Sequence, residues 1–375
     1  MPSELSTFRD RLSGVQVEQL TNHRGHSHHF YFTNPGWYAG GRKLLFASDR
    51  GNRCNLYGVD LANGEVEQLT DVEPVELPRE IEFLRACRNP AREEVVFWHD
   101  LDLMVLDLTS RRTRALHRID PRWCVSMTNC SADGRYAYWG SYEDQSESFE
   151  VDLLRGYVGF RETWAAKPLS RIERVELASG RHEVVFEERY WIGHVNTSPT
   201  DPDLLTFCHE GPWDAVDNRI WVLRPSTGKA WKLRPCAAGE VVGHEYWFAD
   251  GQRIGYHGHG PQGGFLGRMD ADGGNRHEAA FPGHTGHIFS RDERLVVGDG
   301  GGVIRLWRLV DGVYEQPRVL CRHDSGMKIQ QTHPHPVISP DGNSIVFTSD
   351  ATGYGNVFRV KLDGVDLGAL PFTKD

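Results

Sequence analysis

Short runs of β-favouring apolar residues recur along the chain. Each is opened by a turn rich in Pro, Asp or Gly and followed by a second run that ends in a polar turn, often with Gln-Leu-Thr. The unit appears seven times, at residues 37–46, 89–97, 131–138, 199–207, 249–256, 290–297 and 339–347. In the last of these, Ser339-Pro340-Asp341-Gly342 makes the turn and Ser344-Ile345-Val346-Phe347 the run. Asp-Gly supplies the tight turn that joins paired strands. A period of roughly 40 to 50 residues is that of one four-stranded propeller blade. A single unit cannot bury its own sheet faces, whereas seven stacked radially share a core and leave only short edges. The pattern predicts an all-β fold: a seven-bladed β-propeller with four-stranded antiparallel blades around a central channel, one domain over residues 1–375.

Two details refine that expectation. Residues 56–70 read as the outer hairpin of the first blade, and residues 15–21 echo the end of it. The echo is placed to add an outer strand to the last blade and close the ring, a part that residues 365–372 could equally take. The interval between the third and fourth units is long, and its excess (about residues 141–168) reads as a rim insertion, a loop or short helix. Helical periodicity is almost absent, and there is no G-x-S-x-G, no P-loop and no dinucleotide fingerprint between strand and helix. The glycine run 298–302 lies between two strand patterns and reads as a hairpin turn.

Composition narrows the partners. A net charge of −10 disfavours nucleic acid and anionic membranes. An anionic substrate then needs local positive charge from arginine or a metal. The N-terminal residues have neither a basic nor an apolar segment of a signal peptide, and no run approaches membrane-spanning length. The seven cysteines are scattered and lack C-x-x-C spacing, which suits reduced thiols and predicts a cytoplasmic protein.

The chemistry gathers on histidine. His333-Pro334-His335-Pro336 follows Gln330 by three residues. A residue before proline is pushed into extended backbone, and residues i and i+2 of an extended chain face the same way. Two imidazoles are thus expected side by side, with the amide of Gln330 or Gln331 nearby, as ligands of a metal ion. Histidines also mark the segments leading into other repeats: His26 to His29, His194, His244, and His284 with His287. His287 is the expected third imidazole and His284 its alternative. Three imidazoles and an amide are neutral, so the ion keeps its full charge for a carboxylate substrate. His26 and His28 form a second H-x-H alternation, expected in the substrate cleft or on a metal. His244 has no partner at ligand spacing and is expected to be a general base. Arg219 offers a forked donor for a carboxylate or sugar oxygen. His28, His194 and His209 make up the expected substrate-binding set.

H-E-G-P-W-D-x-V-D-x-R-x-W at 209–221, G-H-E-Y-W at 243–247, Q-x-T-H-P-H-P at 330–336 and T-S-D at 348–350 resemble the oligogalacturonate lyase family. The likeness runs over nearly the whole chain, and Phe30 stands where members usually carry a more polar residue. The resemblance implies a cytoplasmic seven-bladed propeller that binds manganese, with His287, Gln330, His333 and His335 as ligands. It also implies that His244 is the base and Arg219 its partner in charge stabilisation. The expected reaction is metal-assisted β-elimination on short α-1,4-linked galacturonate oligomers, chiefly the disaccharide. Another uronate, such as a glucuronate-containing oligosaccharide, is the alternative substrate. A non-catalytic propeller resembling the TolB-type or WD-repeat scaffolds is the alternative from a different class.

Overall fold

The structure, a computed structural model, describes residues 1–75 and 83–373. Its strands form seven antiparallel sheets, and the fold is the expected seven-bladed β-propeller. Most neighbouring strands are consecutive in the chain, so the blades are largely meanders of hairpins, and the last blade also takes two strands from the N-terminus. Asp-Gly turns the first hairpin in several of them: Gly134, Gly251 and Gly342 take φ between +66° and +79°, where glycine costs nothing and other residues are strained. Three sheets depart from the expected four strands by carrying a fifth.

The chain forms two compact units. One comprises residues 1–76, 264–266 and 279–375, and the other residues 77–263 and 267–278. In the first unit, the faces of the sixth and seventh blades bury Val297, Ile304, Leu306, Leu320, Ile345, Phe347 and Val360 in one core. The N-terminal echo resolves here. Gln16–Gln19 pairs with Asn356–Lys361 and adds an outer strand to the last blade, while residues 365–372 contribute only an isolated bridge. Buried Arg359 and Glu18 seal that pairing with an ion pair of 2.5 Å.

In the second unit, Val96, Trp98, Trp123, Trp139 and Val175 fill the space between the second and third blades. Tyr138, Ile172, Ile192, Val195, Leu205 and Phe207 do so between the third and fourth. The expected insertion begins later than residue 141, because the strand Tyr136–Glu143 runs to its end first. It then holds Phe160–Ala166, the one α-helix among the described residues. No described helix is long and apolar enough to cross a membrane.

Candidate active site

His287, His333 and His335 are all buried, and their ligand atoms lie within 4.8 Å of one another. His287 stands just ahead of the strand Ile288–Ser290. Its backbone N–H donates to Asp299 Oδ1 at 2.8 Å, and its ring Nδ1 lies 2.9 Å from Asp299 Oδ2. A carboxylate only accepts, so Nδ1 carries a proton and Nε2 is the nitrogen that could ligate. Burial opposes the charge of Asp299, yet the neighbouring His287 holds its carboxyl below the usual range.

The single 3-10 turn Gln330–Thr332 leads into the histidine pair. His333 is extended, as a residue before proline should be, with φ −65° and ψ 137°. His335 is not: it takes φ +44°. The expectation of two parallel ligands on one extended face is therefore corrected, and the rings meet at 43° with centroids 5.7 Å apart. Such a backbone persists only where its surroundings enforce it. The carbonyl of Pro334, between the two histidines, accepts from His29 Nε2 at 3.1 Å and from the backbone N–H of Thr348 at 3.0 Å. Asp350 accepts from Ser325 Oγ and from the N–H of Gly326. The T-S-D segment is thus the clamp on the ligand loop.

His333 Nε2 donates to the carbonyl of Met327 at 3.1 Å. Its Nδ1 is buried without a hydrogen-bond partner among the described residues. Burial, reinforced by the adjacent His287, lowers the His333 pKa to about 4, so the ring is neutral near pH 7. Tyr31 stands edge-on to His335 at 4.8 Å, and Phe32 lies 5.7 Å from His287. Converging imidazoles, an orphaned buried lone pair, second ring nitrogens fixed by a carboxylate and a carbonyl, and an aromatic wall fit a divalent transition ion. Gln330 begins the turn that delivers His333, whose N–H donates to the Gln330 carbonyl at 3.2 Å.

A second cluster lies in the other unit. The first strands of the fourth and fifth blades are each broken by a bulge, where the pairing register skips between Gly193 and Asn196 and between Gly243 and Tyr246. His194 and His244 occupy the skips with φ +48° and +51°. They lie within their strands rather than ahead of them, and the bulge re-aims their side chains. A Cβ on Gly243 would come within 2.4 Å of the Trp213 ring, so that ring requires a glycine beside His244. Trp213 stands edge-on to both His244 and His257, and His244 Nδ1 lies 2.9 Å from His257 Nε2.

The 209–221 motif builds the rest of this cluster. Arg219 is buried, with Nη1 3.0 Å from Glu210 Oε1 and Nε 3.7 Å from Glu245 Oε2. Glu210 Oε2 also lies 3.3 Å from His194 Nε2. Burial works against the Glu210 charge, but Arg219 and then His194 hold its carboxyl far below the usual range. His209 is a correction to the expected substrate-binding set. Its ring nitrogens lie 2.8 Å from Asp217 and 2.8 Å from Glu188, and it is stacked on Tyr190 and buried, so no ring nitrogen is open to a sugar. His28 is buried too, its Nδ1 donating to the carbonyl of His29 at 3.1 Å. Phe30 is in the core.

Sequence reasoning passed over Asp299 and His257, and it named His29 and Glu245 only as members of polar strand-entry segments. Asp299 sits in the glycine run, where the hairpin sets it beside His287; a lone acid in such a turn was the available signal. His257 and His259 alternate along the strand Arg253–Gly260, which puts both on one face.

A sequence profile of the oligogalacturonate lyase family matches residues 1–305. The oligogalacturonide lyase of Pectobacterium atrosepticum is 25% identical, over 96% of this chain and 97% of its own length. The oligogalacturonate lyase of Dickeya dadantii is 25% identical over 95% of each chain. A solved oligogalacturonate lyase in complex with manganese superposes with a TM-score of 0.86 and 27% identity, covering 96% of this chain and 97% of that one. The Vibrio parahaemolyticus oligogalacturonate lyase shares the fold, with a TM-score of 0.85 at 24% identity over 96% and 97% of the two chains. With most of its length matched by the profile and both units matched in structure, the chain belongs to the oligogalacturonate lyase family and is a lyase.

Proposed function

We propose that the chain cleaves short α-1,4-linked galacturonate oligomers, chiefly the disaccharide, by β-elimination. The observation that carries this reading is the convergence of buried His287, His333 and His335, with Nδ1 of His333 left without a hydrogen-bond partner among the described residues. These three, with the amide of Gln330, would hold the ion. A divalent ion held there, manganese as in the similar solved lyase, would polarise the substrate carboxylate and make the C5 proton easier to remove.

His244 takes that proton, a task suited to a near-neutral imidazole. The electron pair from C5–H forms the C4–C5 double bond, and the C4–O bond breaks with its pair going to the departing sugar oxygen. Arg219 supplies fixed positive charge as negative charge spreads onto the carboxylate. Glu210 and Glu245 hold its guanidinium in place and need no reorganisation during the reaction. The unsaturated product opens to the keto-sugar 5-dehydro-4-deoxy-glucuronate. The seven cysteines are free thiols, which supports a reducing compartment and the cytoplasm as the place of action.

His244→Ala tests the base. Turnover of digalacturonate should fall on the order of 10²-fold or more, with the fold unchanged by circular dichroism. Near-normal turnover would remove His244 from the role.

A further inference from the structure

The second and third blades carry another group of metal-ligating side chains. His117 lies on the outer strand Thr113–Arg118 of the second blade, and His182 opens the outer strand His182–Arg189 of the third. Glu173 lies on the neighbouring strand Leu169–Glu176. One ligand atom from each of the three lies within 4.8 Å of the others. The two imidazoles stack with centroids 4.2 Å apart and planes within 19°, and the Trp139 ring stands 5.6 and 5.7 Å from them. Glu173 is buried. One of its oxygens lies 2.6 Å from His182 Nε2, and the other accepts from the Ser141 hydroxyl. Among the described residues, the ion-pair partner of this carboxylate is an imidazole and not an arginine or lysine.

We propose that His117, Glu173 and His182 bind a divalent transition ion, best zinc, that staples the outer strands of two neighbouring blades. Two imidazole nitrogens and a carboxylate oxygen are a donor set that zinc takes in tetrahedral geometry, with a fourth position for water. Both histidines are partly exposed, so water reaches that position. Ser141 orients the carboxylate as an outer-shell partner of a metal ligand does. Ligands about 2.1 Å from a tetrahedral ion stand about 3.4 Å apart, so modest side-chain rotation draws the three together. The ion replaces the proton shared by His182 and Glu173, and that proton leaves to solvent.

The competing account is a half-buried histidine–glutamate pair with a second imidazole stacked on it. Metal-stripped protein would be titrated with zinc by calorimetry, and bound zinc counted after dialysis. The wild type should take up one ion more per chain than Glu173→Gln, and zinc should raise the melting temperature of His333→Ala but not of His333→Ala/His182→Gln. Should His182→Gln not fold, His117→Gln on the other blade reads the same site. Equal uptake by wild type and Glu173→Gln, or zinc that dialyses away (an adventitious ion only), overturns the proposal. The ion count uses no substrate, so its outcome is independent of the lyase reading.

Discussion

His287 and Asp299 are joined twice: the carboxylate accepts the histidine's backbone N–H through one oxygen and faces its ring Nδ1 through the other. The first contact fixes where the backbone enters the sixth blade, and the second fixes which ring nitrogen carries a proton toward the carboxylate. An acid in this position raises the basicity of the ligand and sets its direction. Asp299→Asn keeps the shape but can place an amide N–H against Nδ1, favouring the wrong tautomer. Metal affinity should fall about 10- to 100-fold, read by competition with a chromophoric chelator. Unchanged affinity would mean that the carboxylate only shapes the turn.

Gly243→Ala examines the packing that presents His244. The new Cβ would come within 2.4 Å of the Trp213 ring, and ring and strand cannot both stay. Overpacking of this kind costs about 1–3 kcal/mol, and here the displaced ring also borders His244 and His257. Both the melting temperature and turnover should drop. A large loss of turnover at unchanged stability would show that Trp213 positions the histidines without supporting the fold.

Arg219 is buried between two carboxylates, so removing it leaves Glu245 without its cation and Glu210 with only His194. Arg219→Ala should destabilise the protein by about 3–5 kcal/mol, measured by denaturant unfolding, and abolish turnover. Arg219→Lys should restore part of the stability but little activity, because an ammonium does not reproduce the planar fork. Full activity in the lysine variant would show that positive charge alone suffices.

Stability of the metal-free protein should carry the signature of His29. Burial lowers its pKa from 6.5 to about 4, against smaller opposing effects of the Pro334 and Phe30 backbone. Between these values the unfolded chain binds the proton and the folded chain does not. The contribution is therefore fully present above pH 6.5 and is lost as pH falls to about 4, by roughly 3 kcal/mol in total. Unfolding free energies measured in chelator across this window should show that slope together with a like one from His333, and His29→Gln should reduce it without abolishing it. An identical slope in the variant would assign it to other groups.

The seven blades were legible because turns rich in Pro, Asp or Gly recur with the blade period, and even the N-terminal outer strand was announced by its likeness to residues 66–70. His287, His333 and His335 were legible as a set of ligand types, and the structure gathers them. Their geometry was not. The left-handed backbone of His335 depends on His29 and Thr348 gripping Pro334 from segments about 305 residues before and 14 residues after. The bulges at His194 and His244 were hidden because Gly-His reads the same in a regular strand; the reason for Gly243 lies in Trp213, from the preceding blade. His209 misled for the opposite reason. Its motif position was sound, but Glu188 and Asp217 occupy both ring nitrogens, and neither contact follows from spacing.

Metal-dependent elimination on digalacturonate makes a product with its own chromophore. Ultraviolet absorbance of the unsaturated uronate would be followed with purified protein, after chelation and after manganese is restored. Absorbance that disappears with chelator and returns with manganese is the predicted result. Absorbance that survives full removal of the metal, or that never appears under any metal, would exclude metal-dependent elimination of digalacturonate.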